Sequence, residues 1–279
     1  MVRVAVFASG NGGNFESLVR TSREWDNPPC RIELLIVDKK NAFAVKRAEN
    51  LGIPCYVVSL KECSDKKEYE EKIIKILEDN NIELVALAGY MKIISEVLLN
   101  AYRNKIINIH PAYLPNFPGK DGIGDAFRAG ASETGVTIHY VDEGVDSGEI
   151  IYQEKLIIDK SWDIEKLEEE IHKIEHRIYP MVLKQLCEKI EEENTMRKFL
   201  SVLLAMAMVL SLTVTGFAIE DTATTRAPEV MTEEATMAGK TVILHTNDVH
   251  GAIEGYAYIT ALKADYEAKG AEVILVDAG

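Results

Sequence analysis

Val2-Arg-Val-Ala-Val-Phe-Ala8, then Ser9-Gly10-Asn11-Gly12-Gly13-Asn14, then a helix-length segment over residues 15–24 together decide the fold. An apolar run of this length suits a strand buried on both faces, and such strands belong to sheets covered by helices on either side. Small residues in the loop let backbone N–H groups approach an anion, and the helix that follows adds a favourable partial charge. The loop therefore suits phosphate. It is neither GxGxxG nor GxxxxGK[ST], which excludes the dinucleotide and Walker fingerprints. A tight strand-to-helix turn with no ligand has the same composition, so the loop by itself leaves both readings open.

Working outward, apolar runs recur at residues 32–37, 55–58, 84–87 and 106–109, separated by helix-length polar segments such as Lys66–Asp79. Residues 135–140 and 149–156 read as further strands around a loop. Strands alternating with helices imply an α/β domain, Rossmann-like, with a mostly parallel sheet and helices on both faces. Near the end of this part Ile164, Leu167, Ile171, Ile174 and Ile178 fall on one helical face. Pro180 is expected to interrupt that helix and start a second one.

Chemistry gathers in Ile106-Ile-Asn108-Ile-His110-Pro-Ala-Tyr-Leu114-Pro115. Residues two apart on a strand point the same way, so Asn108 and His110 are expected to project together beyond the strand's end, where open α/β sheets hold ligands. An amide beside an imidazole can polarise a carbonyl and manage a proton, although a hydrogen-bonded core pair would look the same. The loop Val141-Asp142-Glu143-Gly144-Val145-Asp146-Ser147-Gly148 offers carboxylates that could steady a cationic His110. Nothing local chooses Asp146 over Asp142.

Composition sets outer limits. The 279 residues are 47% hydrophobic and 27% charged, with a formal net charge of −14. That charge argues against a nucleic-acid partner bound through a broad basic face. Cys30, Cys55, Cys63 and Cys187 lack metal-ligand spacing and read as thiols of a reducing compartment.

A break is expected near Thr195. The acidic Glu191-Glu192-Glu193-Asn194 gives way to Met196-Arg197-Lys198 and an uncharged apolar stretch from Phe199 to Ile219. A basic start, an apolar middle and small residues at Gly216 and Ala218 are the parts of a secretory signal peptide. A membrane span is the alternative, since about 20 apolar residues cross a bilayer. Such a signal inside a chain points to two joined reading frames. The expected parts are a catalytic domain at 1–195, an apolar helix at 196–219, a flexible linker at 220–240 and an incomplete βαβ fragment at 241–279. Within the last, 241–245 and 272–276 are strand-like and 258–269 helix-like.

Several motifs together resemble one family. Ser9-Gly-Asn-Gly-Gly-Asn14, Leu87-Ala-Gly-Tyr-Met91-Lys92-Ile-Ile94, Asn108-Ile-His110-Pro, Phe117-Pro-Gly119-Lys120, Gly135-Val-Thr137-Ile-His139, Val145-Asp146-Ser-Gly148 and Glu175-His176-Arg-Ile-Tyr179-Pro180 occur in the order and spacing of glycinamide ribonucleotide formyltransferases. The resemblance covers nearly all of residues 1–190. It implies formyl transfer from 10-formyltetrahydrofolate to the amine of glycinamide ribonucleotide, in purine synthesis, without a metal. It further implies a catalytic trio of Asn108, His110 and Asp146. Asn11, Gly12, Gly13 and Asn14 would hold the substrate phosphate with Lys66 as helper, and Glu175 the ribose. Met91, Lys92, Ile93 and Ile94 would line the folate pocket with Asn108 and Val141 through Asp146. Many relatives carry Arg at positions 66 and 92, where Lys keeps the charge and loses the planar fork. The expected location is the cytoplasm, as a monomer or homodimer.

The same chemistry on another acceptor, in a methionyl-tRNA formyltransferase or a formyl-folate hydrolase, is the near alternative. Those relatives carry an additional domain that is not evident here. A different class comes from the far end. Ile243-Leu-His245-Thr-Asn247-Asp248-Val-His250-Gly251 with Val273-Ile-Leu-Val-Asp277-Ala-Gly279 resembles the opening of secreted 5′-nucleotidases of the two-metal phosphoesterase family. There Asp248 and His250 would ligate one metal ion. The remaining ligands of that family lie beyond the matched run, so no phosphoesterase activity is expected.

Overall fold

The structure is a computed structural model describing residues 1–214, 241–246, 266–268 and 272–277, with the backbone alone for 198–214 and for the two far strands. The chain divides into one compact unit over 1–215 and another over 216–279.

In the first unit the strands are β1 (Val2–Ala8), β2 (Cys30–Val37), β3 (Cys55–Val57), β4 (Leu84–Leu87), β5 (Ile106–His110), β6 (Glu133–Tyr140) and β7 (Ile150–Ile157). They form one seven-stranded sheet ordered β3-β2-β1-β4-β5-β6-β7. β3 through β5 run parallel, while β6 and β7 are each antiparallel to their neighbour. The order reverses between β1 and β4, which opens a crevice at the carboxyl ends of the two strands. The loops after them meet there, with the Ser9 N–H donating to the Gly89 carbonyl at 3.0 Å.

Helices cover both faces, as the continuous apolar runs required. Val2, Val4, Val6 and Ala8 of β1 pack with Phe15, Leu18 and the residues Leu167, Ile171, Ile178 and Val182 of α6 (Ile164–Val214). Ala5 and Phe7 point the other way, to Tyr69, Ile73 and Leu77 of α3 (Lys66–Asp79) and Leu98 of α4 (Glu96–Ala101). Alternation along one strand thus feeds two cores. α3 begins where the sequence places it: the Asp65 carboxylate accepts the Glu68 N–H, and Glu68 reaches back to the Ser64 N–H. The other helices are α1 (Gly13–Arg23), α2 (Phe43–Leu51) and α5 (Gly122–Arg128).

Pro180 does not start a second helix. α6 runs unbroken from Ile164 to Val214 with Pro180 inside it. A proline removes the N–H that would bond to the carbonyl four residues earlier. Here that carbonyl, on His176, accepts the Ser17 hydroxyl at 2.9 Å instead. Packing on the sheet also holds the helix together at this point, since Ile178, Tyr179, Val182 and Leu183 are all buried.

α6 also passes Thr195 without a break, because the Glu-rich end and the Met-Arg-Lys-Phe-Leu that follows are both good helix formers. Asn194 still touches the sheet domain, donating to Glu83 at 3.3 Å. The side chains of the apolar stretch, its end at 215–219 and the expected linker at 220–240 lie outside the described residues. Among the described residues, no helix is long and apolar enough to cross a membrane. In the second unit β8 (Thr241–Thr246) and β9 (Glu272–Asp277) pair in parallel, as a βαβ unit requires, and residues 266–268 are helical. Asp248 and His250 lie outside the described residues.

Candidate active site

β5 and β6 build the chemical centre on one face of the sheet. Ile107 and Ile109 turn into one core, so Asn108 and His110 share the opposite face. Both lie within β5 and not beyond its end, because pairing with β6 extends the strand through His110. In that antiparallel register Asn108 stands opposite His139. The loop after Tyr140 leaves beside Ile106, whose carbonyl accepts the Val141 N–H, and folds back to bring Asp146 over the pair.

Asp146 is the hub. Its Oδ2 accepts the Gly119 N–H at 2.7 Å and lies 3.4 Å from Nδ1 of His110. Its Oδ1 lies 3.4 Å from Asn108 Nδ2 and 3.5 Å from His139 Nε2. Burial alone would raise this carboxyl. His139, the Gly119 N–H and His110 outweigh burial and hold it below its ordinary value. Asp146 sits at φ 52, a left-handed conformation rare outside glycine, which turns the carboxylate inward. Asp142 is spent locally: one oxygen accepts the Gly144 N–H and the Ser147 hydroxyl. Tertiary folding makes the choice that the loop's sequence left open.

His110 is 3% exposed, and its Nε2–H donates to the Phe117 carbonyl at 2.8 Å, leaving Nδ1 toward Asp146. The segment carrying Phe117 and Gly119 is braced from below: Thr137 donates its hydroxyl proton to the Ala112 carbonyl and accepts the Leu114 N–H. The Leu114–Pro115 peptide bond is cis. His139, 2% exposed, donates Nδ1–H to the Tyr140 carbonyl and turns Nε2 to Asn108 Nδ2 at 3.2 Å. It is a site residue with no role legible in the sequence. Its signal is the register that sets it opposite Asn108, which a single strand's pattern does not contain.

The glycine loop forms a second centre. Gly12 adopts φ 77, and a Cβ there would lie 2.7 Å from Cβ of Ala44, so the loop closes against α2 only because residue 12 is glycine. A Cβ at Gly13 would crowd His176 at 3.2 Å. Arg47 ties the loop down through the Asn11 carbonyl at 2.9 Å and the Asn11 side chain at 2.6 Å, and also pairs with Glu16. Asn14 donates to Glu175 at 3.1 Å, while its own Oδ1 is buried without a partner. Glu175 is buried on α6, and desolvation lifts its carboxyl to about 7, with the Asn14 bond opposing. Asn14 and Glu175 are thus in contact, beside Asn11, Gly12 and Gly13 of the same loop. Lys66, on the first turn of α3, lies 3.9 Å from Glu70.

Between the two centres runs the loop after β4. Ser9 Oγ accepts the Met91 N–H at 2.9 Å, and the Ser95 N–H donates to Glu70 at 2.8 Å. Met91 and Ile93 are exposed and Ile94 is buried. Lys92 turns inward to Asp38 at 3.6 Å. Among the described residues no group of three or more His, Cys, Asp or Glu side chains is arranged to hold a metal ion.

Comparison with known proteins bears on these geometries. A formyl transferase family model matches residues 2–183. The phosphoribosylglycinamide formyltransferase of Bacillus subtilis is 49% identical over 186 residues, covering 67% of this chain and 95% of that protein. The human trifunctional purine biosynthetic protein adenosine-3 is 36% identical over 181 residues, 65% of this chain and 18% of that longer protein. Among solved structures, glycinamide ribonucleotide transformylase 1 of Geobacillus kaustophilus shares 49% identity with a TM-score of 0.65, covering 67% of this chain and 99% of that one. Phosphoribosylglycinamide formyltransferase of Streptococcus pneumoniae shares 45% with a TM-score of 0.63, over 67% and 99%. With its mostly parallel sheet, its glycine loop and a histidine of β5 set against Asp146, the chain belongs to the formyl transferase family, among the phosphoribosylglycinamide formyltransferases.

Proposed function

We propose that residues 1–195 carry out this family's reaction, formyl transfer from 10-formyltetrahydrofolate to glycinamide ribonucleotide, with Asn108, His110 and Asp146 as the catalytic residues. The observation that carries the assignment is the convergence of Asn108 and His110 on one carboxylate, Asp146.

Attack of an amine on a formyl carbon places negative charge on the formyl oxygen, and donors already in position lower that barrier. His110 satisfies both of its neighbours when doubly protonated, with Nε2–H toward the Phe117 carbonyl and Nδ1–H toward Asp146. It then sets a positive charge beside the developing oxyanion. Asn108 Nδ2 spans His139 and Asp146 at 3.2 and 3.4 Å. Both distances exceed the about 2.9 Å of a settled N–H bond, so an N–H can turn to an oxyanion. Asp146, held ionised, keeps His110 oriented and can take the proton that the amine must lose, and that proton passes to the folate nitrogen as its bond to the formyl carbon breaks. The backbone of Asn11 through Asn14 is assigned to the substrate phosphate at the start of α1, with Lys66 as helper, and Glu175 to the ribose. Met91 through Ile94 and Val141 through Asp146 are assigned to the folate. Holding both substrates in one crevice supplies much of the remaining rate.

Asn108→Ala, His110→Ala and Asp146→Asn are each expected to lower kcat by about 10²–10⁴-fold while leaving circular dichroism unchanged. Wild-type turnover in any of them removes that residue from the mechanism. Formyl transfer to glycinamide ribonucleotide, assayed against hydrolysis of the folate, excludes the other acceptors.

The proposal extends to the rest of the chain: a cytoplasmic enzyme, monomer or homodimer, joined near Thr195 to a secretion-type signal, a linker and the opening of a two-metal phosphoesterase. The parallel β8–β9 pair supports the last element. The intact mass of the native enzyme tests the join: a mass near that of 195 residues makes two proteins of one.

A further inference from the structure

Asp38 directly follows β2, and its side chain is 1% exposed. Neither carboxylate oxygen has a hydrogen-bond partner. The phenols of Tyr69 and Tyr90 feel its charge but bond to each other. Lys92 answers it at 3.6 Å, beyond hydrogen-bond distance and from a side chain 37% exposed. A buried carboxylate this poorly compensated is a weak device for stability, because desolvation offsets most of what one distant cation returns.

The position of Lys92 explains what the pair does. Residues 88–95 connect β4 to α4, with the Met91 N–H held by Ser9 and Ser95 held by Glu70. The side chains of Met91 and Ile93 are exposed, and Lys92 alone of the three residues 91–93 is drawn inward, toward Asp38. We propose that Asp38 is a positioning residue for the folate-side loop: by drawing Lys92 inward it fixes the crown of residues 91–94 so that Met91 and Ile93 face the co-substrate. The inference rests on the assignment of that loop to the folate.

Steady-state kinetics and melting of the full chain test it, using Asp38→Asn, Lys92→Met and the double variant. Asp38→Asn is expected to raise KM for 10-formyltetrahydrofolate about tenfold. kcat and KM for glycinamide ribonucleotide should stay within about twofold, and Tm should be equal or higher. On the Lys92→Met background the same change should add less than about twofold, because the partner is already gone. If Lys92→Met raises KM for the folate and Asp38→Asn does not, the positioning role is wrong and the folate assignment stands. If Lys92→Met leaves that KM unchanged, the folate assignment of the loop fails and takes this inference with it. A lowered Tm in Asp38→Asn with both KM values unchanged makes the pair purely structural and overturns the proposal.

Discussion

Replacing Glu175 by Gln removes one ionisable group from beside the glycine loop and leaves a side chain of the same shape to accept from Asn14 Nδ2. The carboxyl is buried, and desolvation lifts it from the ordinary 4.5 to about 7. A shift of that size costs the ionised form about 3 kcal/mol in the folded protein. The sign follows from proton counts. Between the two values the unfolded chain has lost this proton and the folded one has kept it, so stability falls as pH rises through the window. The contribution is fully favourable below the unfolded value and lost above about 7. Glu175→Gln is therefore expected to exceed the wild type in stability by about 3 kcal/mol at pH 8 and by only about 1 kcal/mol at pH 5. Urea unfolding at both pH values reads the difference directly. A gap that does not change with pH refutes the argument, since it means that the carboxyl ionises alike in both states. The same variant should raise KM for glycinamide ribonucleotide with kcat retained, if the group serves the ribose.

Other perturbations follow from the same contacts. Asp146 is held below its ordinary carboxyl value, so its contribution to stability is present above that value and lost as pH falls through the folded one. Asp146→Asn should flatten the acid limb of Tm against pH below about 4, measured by calorimetry. Glu70→Ala strips the first turn of α4 of the carboxylate that accepts the Ser95 and Leu98 N–H groups, and should cost about 2 kcal/mol in urea unfolding. Ser17→Ala leaves the His176 carbonyl without its donor at the turn where Pro180 supplies none, and should cost about 1 kcal/mol. An unchanged midpoint would mean that solvent takes the hydroxyl's place.

Legibility varied with the range of the forces concerned. β1 and β2 could be read because they are buried on both faces and carry continuous apolar runs. The start of α3 could be read because Asp65 and Glu68 cap it locally. The continuation of α6 through Pro180 could not, because the compensating donor is Ser17, 159 residues away in sequence.

The sequence by itself determined the α/β alternation, the glycine loop and the pairing of Asn108 with His110 on one strand face, since each depends on period and residue type within a few positions. Only the tertiary structure decided that β6 and β7 run antiparallel, that His139 stands opposite Asn108, that Asp146 and not Asp142 reaches the histidine, and that Asp38 lies buried against Lys92. Those choices are made by strand register and by a loop folding back over the sheet. Their energy comes from contacts between residues far apart in the chain, which no local pattern encodes.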